Sequence, residues 1–239
     1  MRFQEDTVLK WMSLIRQHPD AIECFWPSQV QSKTWLCETI GEYLAQEGST
    51  GWYEPQTAII FGSWYGVLAD MLEIPKTVCV DIEEKYLAWC NTPDLAWPHK
   101  SFHVANKHYP TIQCSLDDYI YSADLPNPDI VINTICEHID QPTYDKWFNN
   151  IPKGTYFVIQ GNNDFSHKDH IRANNSLDEF VNNNVRNFKL EPVYQGTLQY
   201  EGPWNHTDNC PTYYTRFMAI GRKDVPVQED HFRDHGHIK

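Results

Sequence analysis

The sequence has no apolar run long enough to cross a bilayer, no CxxC cysteine pair, no cluster of lysine and arginine, and no internal repeat or low-complexity tract. Each absence excludes something. A span would need about 18 or more consecutive apolar residues, so no membrane partner is expected. The opening MRFQEDTVLKWMSL carries acids and no apolar centre, which argues against a secretory leader. The seven cysteines, Cys24, Cys37, Cys79, Cys90, Cys114, Cys136 and Cys210, are odd in number and scattered. They read as reduced, buried thiols of a cytoplasmic protein rather than a disulfide framework or a zinc site. The net charge of −13 opposes non-specific binding to a phosphate backbone, so no nucleic-acid partner is expected.

What is present is enough for one substantial core: 239 residues, of which 41% are hydrophobic. Aromatic residues make up 14%, with 9 Trp and 13 Tyr. Such side chains suit flat or cationic ligands, and they equally suit core packing and a homo-oligomer interface, the reading preferred here.

The chain is organised around residues 57–90, TAIIFGSWYGVLADMLEIPKTVCVDIEEKYLAWC. Ala58 to Phe61 is a short apolar run of the kind buried on both faces of a parallel sheet. Gly62 and Gly66 bracket Ser63, Trp64 and Tyr65, and a helix is predicted over Val67 to Leu72. Thr77 to Val80 is a second strand, and Asp81 follows it. A strand turning sharply into a helix needs glycine for unusual dihedrals and close ligand approach. The helix start then offers free N–H groups at the sheet edge. Asp81 stands about 20 residues after Gly62, the separation expected between a nucleotide-binding turn and its ribose-binding carboxylate.

On these residues the chain resembles the class I S-adenosylmethionine-dependent methyltransferases. Their first turn reads acidic-x-Gly-x-Gly-x-Gly; the matching positions here are Ile60, Gly62, Trp64 and Gly66, so the leading acid and the middle glycine are replaced. Trp64 either leans over the methionine arm of the cofactor or blocks its usual pose. The resemblance covers about residues 57–222 and implies S-adenosyl-L-methionine as cofactor. It places Gly62, Ser63, Trp64, Tyr65, Gly66, Asp81, Asp117 and Asn133 around that cofactor, with Asp117 toward the adenine amino group. A helix cap explains Asp117 equally well.

Upstream, residues 1–55 read as a helical lead-in. Val8, Trp11, Met12 and Ile15 recur at helical spacing, as do Trp35, Ile40 and Leu44, with Pro19 and Pro27 breaking the pattern between them. Ser32-Lys33-Thr34 is the expected cap of the second helix. Downstream, Glu83 to Trp89 reads as a helix, Thr111 to Cys114 as a third strand and Asp129 to Thr134 as a fourth. Cys136, Glu137 and His138 then emerge at the carboxyl edge of the sheet, where ligands bind in open α/β folds. Glu137 and His138 are the candidate general acid or base; the alternative is a polar helix start favoured by the dipole. The Asn/Asp-Pro-Pro-aromatic signature of DNA base methylation is absent at this position.

A fifth strand is expected over Thr155 to Gln160, and the polar loop after it carries Asn162, Asn163, His167 and His170. Cys136, Asn162, Asn163 and His170 are the candidate substrate-binding residues. His167 and His170 with Asp164 and Asp169 could hold a metal, but substrate binding or solvent exposure is the preferred reading, and no metal is expected. His99, His103 and His108 fit no zinc spacing. Ser176 and Glu179 form a capping-box pattern before a helix. Val193 to Tyr200 and Tyr213 to Gly221 are two final strands joined by a long loop, the ending of the resembling family and not of nicotinamide-binding Rossmann domains. Residues 223–239, with His231, His235 and His237, read as a charged, mobile tail.

The expected architecture is therefore a doubly wound Rossmann-like α/β domain over 56–222, with a seven-stranded sheet and a terminal antiparallel strand pair behind the lead-in. The expected activity is transfer from S-adenosylmethionine, most simply of methyl, to a small or polar acceptor. The rival readings are a non-catalytic binding or assembly protein on the same scaffold, and an enzyme using the sulfonium compound or another nucleotide in a different reaction.

Overall fold

A computed structural model describes residues 5–47, 55–90, 109–121, 127–205 and 210–223. The histidines at 99, 103, 108, 231, 235 and 237 lie outside the described residues. Seven strands form one sheet: β1 (Thr57–Phe61), β2 (Lys76–Asp81), β3 (Thr111–Gln113), β4 (Ile130–Asn133), β5 (Tyr156–Asn162), β6 (Tyr194–Asn205) and β7 (Cys210–Arg222). Their spatial order is β3-β2-β1-β4-β5-β7-β6. The first five pair in parallel, and β7 joins antiparallel between β5 and β6. The order reverses direction between β1 and β4, which opens the crevice where open α/β sheets take ligands.

Strand residues alternate between two cores, as the period of two demands. Ala58, Ile60, Ile130, Ile132, Tyr156, Val158, Met218 and Ile220 face one side. Ile59, Phe61, Val131, Phe157, Ile159, Phe217 and Ala219 face the other. The first side is covered by α1 (Glu5–Gln17), α2 (Pro27–Glu47), α3 (Val67–Leu72) and α4 (Glu84–Cys90). The second is covered by α5 (Gln141–Asn150) and α6 (Leu177–Asn184), which bring Tyr144, Trp147, Phe148, Phe180 and Val181. Among the described residues no helix is long and apolar enough to cross a membrane.

Several sequence expectations need correction. The inner face of α1 is not Val8 and Met12, which are exposed, but Lys10 and Leu14 with Trp11 packed alongside. Lys10 is buried because its Nζ lies 2.6 Å from Asp70 Oδ1 on α3, and that carboxylate also accepts from Trp11 Nε1 (3.0 Å) and Tyr109 OH (3.0 Å). A lysine that carries its own buried counter-ion does not register in an apolar periodicity. The second helix begins at Pro27 rather than at Ser32, since proline at a first helical position forfeits only an N–H that has no partner anyway. Ser32 is thus interior to α2, and its hydroxyl donates to Gln160 Oε1 at 3.1 Å. The fifth strand runs on past Gln160 to Asn162, so Gly161 and Asn162 are buried strand residues and not a loop. The final strands are longer than expected, ending at Asn205 and restarting at Cys210. The Ser176 cap is as read: its Oγ accepts from Glu179 N at 3.1 Å.

Candidate active site

The carboxyl ends of β1 to β4 enclose a cavity of 310 Å³. Phe61 and Gly62 contribute from β1, Val80 to Ile82 from β2, Cys114 to Leu116 from the end of β3, and Ile135, His138, Ile139, Asp140 and Thr143 from beyond β4. Ile171 closes one side.

The turn after β1 is built as a close-approach turn. Gly62 has φ +64° and Gly66 has φ +73°. A Cβ on Gly62 would fall among the side-chain carbons of Ile135, and one on Gly66 would sit 2.8 Å from Cys90 Sγ. Between them, Trp64 takes φ +51° without being glycine, at a cost of about 1–2 kcal/mol. That conformation aims the Trp64 N–H at Asp81 Oδ2, 2.9 Å away, which ties the turn to the end of β2. The other oxygen, Oδ1, accepts from Glu83 N at 3.1 Å. Each oxygen retains accepting capacity toward the cavity. Burial raises the Asp81 carboxyl from its ordinary value, opposed by these N–H donors.

Three of the cofactor candidates point elsewhere. The Trp64 ring is on the lead-in side, against Tyr65 and Tyr86, with Lys33 Nζ of α2 at 5.9 Å. It neither lines nor closes the cavity. Burial lowers the Lys33 amine to about 8. Tyr65 is buried and donates to Asp20 Oδ2 at 2.7 Å. Asp117 stands outside the lining, its carboxylate 3.0 Å from Ser115 Oγ and 3.2 Å from Lys146 Nζ; these contacts lower its pKa. Its neighbours Ser115 and Leu116 are what reach the cavity. Ser63 is buried, and Asn133 is buried with Oδ1 accepting from Ile135 N at 3.0 Å. Among the lining residues that sequence reasoning did not single out is Ile82, directly after Asp81, 64% exposed and on the cavity wall. An apolar residue standing in solvent just beyond a strand-end acid was the available signal.

Cys136, Glu137 and His138 form one 3-10 turn, so successive side chains diverge. Cys136 is buried in the core, off the cavity lining, and burial pushes its thiol up to about 12. Glu137 is buried, with Oε1 accepting from Asn162 Nδ2 at 2.5 Å and lying 3.7 Å from Arg216 Nη1. Only His138 of the three reaches the cavity. Its pKa is depressed, first by burial of its surroundings and then by His170 and His167, against the opposing effect of Glu137. Asn163 is also structural, since its Oδ1 accepts from Thr215 N at 2.7 Å. His170 is brought to His138, ring centroids 4.7 Å apart, although the two are remote in sequence.

No protein-family model and no curated protein sequence matches the chain. Solved structures do. The N-methyltransferase NodS from Bradyrhizobium japonicum WM9, solved with S-adenosyl-L-homocysteine, superposes with a TM-score of 0.54 at 11% identity, over 90% of this chain and 99% of that one. The plantazolicin methyltransferase BpumL, in complex with a triazolic desmethylPZN analog and SAH, gives 0.52 at 11% identity, over 91% and 98%. The chain therefore has the Rossmann-like fold of the S-adenosylmethionine-dependent methyltransferases, with the seven-stranded sheet and terminal antiparallel pair expected from its sequence.

Proposed function

We propose that the protein is an S-adenosylmethionine-dependent methyltransferase acting on a small or polar acceptor. The observation that carries this reading is the pairing of a glycine cradle with Asp81: Gly62 and Gly66 hold positions a side chain would obstruct, and Asp81 is locked to the same turn through Trp64 N. The residues fit the cofactor's adenosine. Ile82, Leu116 and Ile139 offer apolar walls to a flat base, and Asp81 offers two oxygens to a ribose diol. Ile60, buried in β1, supplies no carboxylate for the cofactor's amino group, so the Gly62–Gly66 backbone is left to hold the methionine end. When bound, the sulfonium would supply an activated methyl for an in-line displacement.

The chain's part is chiefly alignment. The acceptor enters from the β4–β5 side, where His138 stands on the cavity rim. Its lowered pKa favours the neutral imidazole, the form with a lone pair free for a proton or a cation. Glu137 is buried beside it and held by Asn162. The two related folds described above, each solved with S-adenosylhomocysteine, support the cofactor. Isothermal calorimetry with S-adenosylmethionine and S-adenosylhomocysteine tests the proposal. Micromolar binding of both is expected; no heat with either would reject it.

A further inference from the structure

We propose that Glu137, His138 and His170 form a site for a divalent transition metal of the zinc type. One ligand atom from each lies within 4.8 Å of the other two. The two segments that supply them are clasped by Arg172, whose Nε donates to Cys136 O (3.2 Å) and Ile139 O (2.9 Å) and whose N–H donates to Glu137 O (3.0 Å). The site is thus built into the fold and does not depend on loose loops meeting.

The hydrogen bonds around it set the ligand atoms. His138 Nδ1 faces Asp169 O at 3.2 Å, and His170 Nδ1 faces Asp164 O at 2.7 Å. A carbonyl only accepts, so each Nδ1 carries the proton and each Nε2 keeps its lone pair. This carbonyl–imidazole arrangement is the usual support of a metal-binding histidine. Glu137 Oε1 is occupied by Asn162, while Oε2 is buried with no hydrogen-bond partner among the described residues. A buried carboxylate oxygen left unpaired is costly, and a cation would satisfy it. His167, with its ring 4.7 Å from His170, accepts at Nδ1 from Asp169 N and so presents a protonated Nε2 in its neutral form. It is no ligand in that tautomer.

Two imidazoles and one carboxylate leave a coordination position open, the composition of a reactive zinc site and not of a closed structural one. The nitrogen donors disfavour magnesium and calcium. Arg216, 3.7 Å from Glu137, offsets part of the carboxylate's charge. Because His138 also lines the cavity, the open position faces the acceptor side; that use, for a hydroxyl or carboxylate oxygen of the acceptor, rests on the methyltransferase reading.

The test is calorimetric titration of the chelator-treated full chain with Zn²⁺, repeated with His170→Ala, with Glu137→Gln and with a triple His231→Ala, His235→Ala, His237→Ala variant. One tight zinc per chain is expected. It should weaken about 100-fold or more in either site variant, beyond the loss of an outer-shell partner alone, and persist in the triple variant. Glu137→Gln keeps an acceptor for Asn162, so it remains informative if His170→Ala misfolds by circular dichroism. Absence of tight zinc binding, or binding unchanged in Glu137→Gln, overturns the proposal, and so does loss confined to the triple variant. Adenosylhomocysteine titrations of the same samples separate the two claims: zinc binding without nucleoside binding rejects the methyltransferase reading alone, and the reverse rejects the metal alone.

Discussion

The two halves of the sheet's carboxyl edge are made differently. At β1–β2 the site is backbone: two left-handed glycines, a left-handed Trp64 and a carboxylate receiving N–H groups from nearby in the chain. At β4–β5 it is side chain: Glu137 and His138 from one segment, Asn162 from β5, His170 from the next loop and Arg216 from β7. The first half suits a ligand part that is always the same, since backbone geometry tolerates little change. The second suits a part that varies, because side chains can be exchanged without refolding the turn.

The largest expected effect breaks the backbone half. Gly62→Ala puts a methyl group into Ile135 and forces a left-handed alanine. With about 1–2 kcal/mol for the dihedral and about 1–3 kcal/mol for overpacking, urea unfolding should show a loss of about 2–5 kcal/mol, accompanied by loss of adenosylmethionine binding. Asp81→Asn should be gentler. The amide can still accept from Trp64 N but sets its NH2 against Glu83 N–H and loses the charge proposed to hold the ribose, so calorimetry should read about 10–100-fold weaker affinity with a small fall in melting temperature.

Lys33→Met probes the roof over Trp64. The folded pKa of Lys33, about 8, lies below its unfolded value. The unfolded chain therefore binds more protons between these values, and the burden on stability is full below about pH 8 and gone above about pH 10.5. The variant should be about 1 kcal/mol more stable at pH 7, and the gain should vanish by pH 11 in denaturant titrations. The smallest effect belongs to His138 in metal-free protein. Its folded pKa is lowered, so its contribution is present above the unfolded value near 6.5 and lost as pH falls through the folded one. His138→Gln should flatten the acid limb of the melting temperature against pH.

The same contrast explains what could be read from sequence. Gly62, Gly66 and Asp81 belong to one strand–turn–helix–strand unit, whose geometry is local and whose spacing is visible in the chain. The strands themselves were legible because buried runs such as residues 58–61 and 130–132 are unambiguous. In the other half, sequence proximity misled. Cys136, Glu137 and His138 are adjacent, yet a 3-10 turn sends one into the core, one toward Asn162 and one to the cavity. The meeting of His138 with His170 depends on Arg172 clasping two segments, a long-range contact with no periodic trace. Asp117 stays off the cavity wall, paired with Ser115 and with Lys146 of α5, a helix the sequence had not marked.

The claim that Asp81 holds a ribose diol is tested most directly by a double-mutant cycle. Calorimetry would compare S-adenosylhomocysteine and its 2′-deoxy analogue on the wild type and on Asp81→Asn. Removing the hydroxyl should weaken binding to the wild type about 10-fold and leave the variant nearly indifferent, a coupling of about 1 kcal/mol or more. Equal losses on both proteins would mean that Asp81 does not touch the ribose, and the cavity would then hold a different ligand.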